Sequence, residues 1–262
     1  MKFETDIFTL SPPKKVTFNL VGATLPNNKD LFFRAKQREI TEQYEAARLF
    51  LQETETDDWE HWFKSDEKYK HVFELIFASH LFEAALMFYN IIVDLSWTLC
   101  YVSAEYVIYA KDKSINFSGM LPIEEAYGAL RKAENIVTNP NSQDNPFEYL
   151  KNMCSEFAPA IDLIVEFWKQ FADSNIRSLY NFIKHKGKPL YEEVEEFRKG
   201  KVMGLQIHGV EYPTDIREIQ RIIGLKMSIS ELIDFDDNIL FPYIKRLFEL
   251  LEQAVQPSPM VF

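Results

Sequence analysis

Glycine is scarce, with 8 in 262 residues. That shortage disfavours a turn-rich β architecture and, with it, glycine loops that cradle phosphates. No Walker A sequence, G-x-G-x-x-G, G-x-S-x-G or C-x-x-C occurs. P-loop nucleotide hydrolysis, dinucleotide binding, nucleophile-elbow hydrolysis and dithiol chemistry therefore lack their usual carriers. Cysteine is nearly absent too. Cys100 and Cys154 sit in apolar helical surroundings and read as small core residues of a reducing compartment. Positive charge is in deficit, 29 Lys and Arg against 40 Asp and Glu, for a net −11. This balance favours solubility and argues against a nucleic-acid footprint over the whole surface.

Long uninterrupted apolar runs are missing as well. Glu83, Asn90, Asp94 and Glu105 break the best candidate, residues 81–110, before about 20 apolar residues accumulate. It reads as a buried helix and not as a membrane span. The opening M-K-F-E-T-D-I-F carries acid early and lacks the apolar centre of a signal peptide, so the cytoplasm is the expected location. Histidine and carboxylate pairs at i, i+3 occur twice, His71/Glu74 and His80/Glu83. His71 and His80 are nine residues apart, about 900° of helix, and so point to opposite faces. No Glu-x-x-His accompanies them, and neither metal nor cofactor is expected. His61 and His208 fall in no usable pattern.

What is abundant is apolar surface: 47% of residues, including 22 Phe. The expected architecture is all-α, one helical bundle over residues 1–262 with minor β segments at the N-terminus and near 201–212. Within residues 1–30, Phe3, Ile7 and then Val16, Phe18 and Leu20 alternate roughly with period two, punctuated by Pro12, Pro13 and Pro26, which suits short extended segments. The main bundle spans 31–200. A first helix over 30–53 would turn Phe33, Ala35, Ile40, Tyr44, Ala47 and Leu51 inward. Residues 71–110 are apolar nearly all round, as one central helix or a pair broken near 94–96.

Pro122 opens a further helix, with Ile123, Tyr127, Leu130 and Ile136 facing in. Asn145-Pro146 starts the next. Its seam, Phe147, Leu150, Cys154, Phe157, Ile161, Ile164, Trp168 and Phe171, continues past Pro159, so a kink is expected there. A short acidic helix covers 191–198. Residues 201–262 form a C-terminal segment: a hairpin or extended crossing over 201–212, a helix from Thr214 closed by Gly224, a capping box at Ser228 and Glu231, and a helix over 242–254.

One stretch stands apart. Residues 174–189 read S-N-I-R-S-L-Y-N-F-I-K-H-K-G-K-P. Ser174 suits an N-cap, and Gly187 with Pro189 suits a helix stop. Ile176, Leu179, Tyr180 and Ile183 fall at i, i+3, i+4 and i+7, one buried stripe. At about 100° per residue, Arg177, Asn181, Lys184 and His185 then share the opposite face within roughly a 100° arc. A guanidinium, an amide, an ammonium and an imidazole in one strip can bind phosphate or polarise a phosphodiester. Equally, a polar face belongs to any amphipathic helix, and cations in a last turn complement the helix dipole. Residues 184–201 hold six Lys and Arg against four Glu, opposite to the balance of the chain.

The long bundle helix, the nearby Arg and the run Y-N-F-I-K-H-K-G resemble the HEPN superfamily (higher eukaryotes and prokaryotes nucleotide-binding), in particular its larger bacterial members. The likeness rests on residues 145–190 and the helical pattern before them. It implies an α-bundle that dimerises and engages RNA or nucleotide. Many such proteins are metal-independent endoribonucleases of toxin–antitoxin or phage-defence systems, while others have lost the site and serve as binding scaffolds. Active members carry an Arg, a polar residue and, after a short interval, a His. Here Ser178 follows Arg177, and seven residues separate Arg177 from His185, longer than usual.

If the likeness carries over, Arg177 stabilises the phosphate and His185 transfers protons, with Asn181, Lys184, Lys186 and Lys188 in support. RNA brings its own nucleophile, so such a pair suffices without metal. Arg177 and His185 lie about 12 Å apart along the axis, so a symmetric partner helix would complete the site. The rival expectation is a non-catalytic helical interaction or scaffold protein, bound to a protein partner such as an antitoxin.

Overall fold

The longest apolar stretch of the chain becomes one continuous helix around which the others assemble. The computed structural model describes residues 28–55, 67–111, 146–198, 205–207, 210–212 and 221–256. In chain order these give α1 (Asn28–Glu53), α2 (Glu67–Lys111), α3 (Pro146–Met153), a 3₁₀ turn (Ser155–Phe157), α4 (Ala158–Phe171), α5 (Asn175–Lys186), β1 (Leu190–Tyr191) and α6 (Glu192–Arg198). Then follow β2 (Leu205–Ile207), β3 (Val210–Tyr212), β4 (Ile222–Ile223), α7 (Leu225–Phe235), a π-helical turn (Asp236–Leu240) and α8 (Phe241–Val255). The fold is all-α, with short strand pairs as trimmings. The extended segments expected within 1–30 and the helix expected from Pro122 lie outside the described residues.

α2 runs 45 residues, about 68 Å at 1.5 Å per residue. It does not break near 94–96. Residues 95–104 are buried without interruption, so this part of the helix is covered on every side. That burial accounts for its composition, although Lys70–Ile108 is by length and composition also apolar enough to cross a membrane. Several of its buried polar groups are satisfied locally, whereas Trp97 Nε1 and Ser103 Oγ are buried without a hydrogen-bond partner among the described residues. Asn90 Nδ2 donates to the Leu86 carbonyl at 2.9 Å, and Ser96 Oγ to that of Val93 at 2.6 Å. The Ser96 hydroxyl also meets Tyr243 Oη of α8 at 2.8 Å.

The helix expected over 30–53 is α1. Phe33, Ile40, Tyr44, Ala47 and Leu51 are fully buried, whereas Ala35 is exposed. The seam from Phe147 to Phe171 is buried at every predicted position. Pro159 does not kink one helix, however. The chain leaves the helix at Cys154 (φ −146°, ψ 86°), passes through the 3₁₀ turn and starts α4 afresh. Proline in a first turn loses no hydrogen bond, because the N–H it lacks would be unpaired there. Trp97 anchors this seam, edge-on to Phe147 at 5.6 Å and to Trp168 at 4.8 Å between ring centroids.

Two further expectations change. Ile222 and Ile223 do not end a helix. As β4 they pair in parallel with Leu190 and Tyr191 of β1, which suits their β-branched side chains. Ser228 does not cap a helix either, because α7 already begins at Leu225. Ser228 sits buried within it, its hydroxyl bonded to the Gly224 carbonyl at 2.8 Å. The capping is done from outside, by the Glu193 carboxylate of α6, which accepts from Leu225 N at 2.8 Å and Lys226 N at 3.0 Å. Those two bonds hold the Glu193 carboxyl below its ordinary range despite partial burial. Residues 205–207 and 210–212 do form an antiparallel pair, Leu205 opposite Tyr212. α8 matches the last predicted helix, with Ile244, Leu247, Phe248 and Leu251 buried.

A charge cluster that no sequence pattern announced joins α1 to the π turn. Arg48 and Asp236 are fully buried. Arg48 Nε donates to Asp236 Oδ2 at 2.6 Å, and its Nη2 to Asp237 Oδ1 at 2.9 Å. Tyr44 Oη donates to the other Asp236 oxygen. The guanidinium also lies over the Tyr44 and Phe241 rings, at 5.1 and 5.7 Å. Burial pushes the Asp236 carboxyl up, against the pull of Arg48, and Tyr44 is raised by burial and the adjacent carboxylate.

Candidate functional site at the end of α5

α5 begins and ends as its sequence predicts. Ser174 caps it, its hydroxyl accepting from Arg177 N at 3.1 Å. Gly187 closes it with φ 112°, a left-handed conformation that favours glycine, and its N–H donates to the Phe182 carbonyl at 3.2 Å. Ile176, Leu179 and Tyr180 are buried and Ile183 is half-buried, so the apolar stripe is also as expected.

The polar strip is divided. Arg177 is only 6% exposed and belongs to the core. Its Nη1 donates to Asn90 Oδ1 on α2 at 3.1 Å. The guanidinium carbon lies over the rings of Trp168 (5.1 Å), Phe171 (5.8 Å) and Tyr180 (5.2 Å). The expectation that Arg177 faces outward beside His185 is therefore corrected. The cause lies in the connection: only Ala172–Ser174 separates α4 from α5, so the first turn of α5 stays under the aromatic end of α4. A side chain as long as arginine then reaches inward over those rings to an amide oxygen.

Asn181, Lys184, His185 and Lys186 are exposed. Lys184 Nζ rests over the Tyr180 ring at 5.6 Å. None of these four is bonded to a carboxylate among the described residues. Lys188 is different. Its ammonium lies 3.2 Å from Glu83 Oε1 and donates to His80 Nδ1 at 3.3 Å and Ser79 Oγ at 3.4 Å, all on α2. Tyr191 Oη donates to the same Glu83 oxygen at 2.6 Å. Burial and that carboxylate raise the Tyr191 hydroxyl well above its ordinary range. Lys188 and Tyr191 thus clamp the chain leaving α5 onto α2, so Lys188 is occupied as a tether.

His80 and Glu83 meet at that ammonium, while His71 Nδ1 lies 3.6 Å from Glu74 Oε2 within its own turn. Among the described residues no group of three or more His, Cys, Asp or Glu side chains could hold a metal. The Cys100 thiol is raised by complete burial, and Cys154 Sγ donates to Glu156 at 3.2 Å. Both are core residues.

One residue that sequence reasoning passed over touches the strip. Arg221 is half-buried, and its Nη1 donates to Ser178 Oγ at 3.2 Å. The β1–β4 pairing places it there, since Leu190 N donates to the Arg221 carbonyl at 2.9 Å. No local pattern in the sequence links positions 43 apart. No protein-family model, curated protein or solved structure matches the chain.

Proposed function

We propose that this chain is a cytoplasmic, HEPN-like helical protein that binds single-stranded RNA at the exposed end of α5 and does so without cleaving it. The observation that carries this reading is the exposure of Asn181, Lys184, His185 and Lys186 on a helix anchored by its other face. Three donors of phosphate hydrogen bonds and one titratable imidazole lie within two turns. Cations here neutralise backbone phosphates, and such binding weakens steeply with salt. With Arg177 bonded to Asn90 and covered by three rings, the guanidinium that would stabilise a scissile phosphate faces the core. Binding is favoured over catalysis on that ground.

A two-fold dimer would set two such ends side by side and double the contacts with one strand. An acidic partner protein, as an antitoxin would be, competes for the same cations. The second reading, a scaffold that docks a protein, is favoured by exposed methionines, Met87, Met153 and Met227, the side chain most used at adaptable interfaces.

Fluorescence anisotropy with a fluorescein-labelled single-stranded RNA tests the proposal, using wild type and the triple variant Lys184→Ala, His185→Ala, Lys186→Ala. Wild type is expected to bind in a salt-dependent manner, and the triple variant to lose at least about tenfold in affinity. Equal affinity in both, or no binding by either, contradicts it. A denaturing gel of the same RNA reads cleavage. Cleavage abolished by His185→Ala would restore the endoribonuclease version.

A further inference from the structure

We infer that Arg221 supplies the guanidinium of the RNA strip, in a row Arg221–Ser178–Asn181–His185 that follows about three nucleotides of a single strand. The inference rests on the RNA-binding reading above. Ser178, Asn181 and His185 are all exposed. At about 100° per residue they fall within roughly a 60° arc, a narrower band than the strip that includes Arg177. Arg221 reaches this band from another element, and Ser178 Oγ holds its Nη1 at 3.2 Å. Arg221 has no carboxylate partner among the described residues. Among the described residues its remaining N–H groups are open to a bidentate phosphate contact.

The two ends of the row suit an anion for different reasons. Ser178 lies near the N-terminal end of α5, where the helix dipole is positive and Arg221 adds a full charge. At the other end the dipole is negative, and Lys184 and Lys186 offset it. Ser178 to His185 spans about 10 Å of axis. A stacked strand rises about 3.4 Å per nucleotide, so the row matches roughly three. β1 and β4 then acquire a purpose beyond trimming: they deliver the guanidinium that Arg177 keeps inside.

The test compares Arg221→Gln and Arg221→Lys with wild type, reading affinity and salt slope for a short fluorescein-labelled oligouridylate. Arg221→Gln is expected to weaken binding about tenfold and to lower the salt slope by about 0.7, one phosphate contact on a single strand. Arg221→Lys keeps the charge but not the fork, so the slope is expected to stay while affinity drops. Circular dichroism monitors folding, and if the Gln variant is unfolded the Lys variant decides alone. Unchanged affinity in the folded Arg221 variants, with wild type binding, overturns the inference and leaves the RNA reading standing. No binding by wild type overturns both.

Discussion

The protein treats its charges in two ways, at the α1–π junction and at the end of α5. Around Arg48 the charged groups are taken inside and hydrogen-bonded to one another, two carboxylates and a phenol surrounding one guanidinium. At the end of α5 Lys184, His185 and Lys186 stay in water without a carboxylate partner among the described residues, while Lys188 is tied down. Burying an ion is costly unless a partner of good geometry meets it, so the first cluster fixes structure and can do little else. The second has given up little solvation and is available to an anionic ligand. Arg177 stands between the two, a buried cation held by an amide and aromatic faces, and its position shifts it from the second region to the first.

The sharpest way to break this contrast is Arg48→Ala. It leaves Asp236 buried beside an unfilled space and is expected to cost about 3–5 kcal/mol, read by urea denaturation. Arg177→Ala should come next, about 2–3 kcal/mol, because it orphans Asn90 Oδ1 and removes three cation–ring contacts. RNA affinity measured on the folded fraction should not change. A destabilised Arg177 variant that also fails to bind would merge the two regions. Tyr191→Phe loses the bond to Glu83 and should cost about 1 kcal/mol. Lys184→Ala and Lys186→Ala should each stay within about 0.5 kcal/mol of wild type.

Glu193 sharpens the contrast by pH. Its carboxyl is held low by two backbone N–H groups, so the stability it contributes is present above the ordinary Glu range. That stability is lost as pH falls through the depressed value. Glu193→Gln should therefore show a smaller drop in Tm between neutral and acid pH than wild type. An identical drop would mean that the α7 cap carries no such linkage.

The helices were legible wherever one face alone is buried. Phe33, Ile40, Tyr44 and Leu51 on α1, and Ile244, Leu247 and Leu251 on α8, follow the period of a helix packed from one side. The reading failed where a second element intervenes. Arg177 lies on the polar arc of α5, yet α4 covers that turn. Ser228 looks like a cap, yet Glu193, 32 residues upstream of Leu225, does the capping. The isoleucines 222–223 look helical until Leu190 and Tyr191 pair with them. Arg48 and Asp236, 188 residues apart, could not be matched by any local pattern. For the candidate site, the caps, the stripe and the exposed cations were readable. The inward turn of Arg177 and the arrival of Arg221 depend on neighbours that spacing does not encode.

The most direct measurement is a nitrogen-edited NMR titration of the protein with single-stranded RNA, following side-chain signals. The account predicts that the Asn181 amide and the His185 ring shift on binding while Arg177 Nε stays where it is. A shift of Arg177 with Asn181 and His185 unmoved would contradict it.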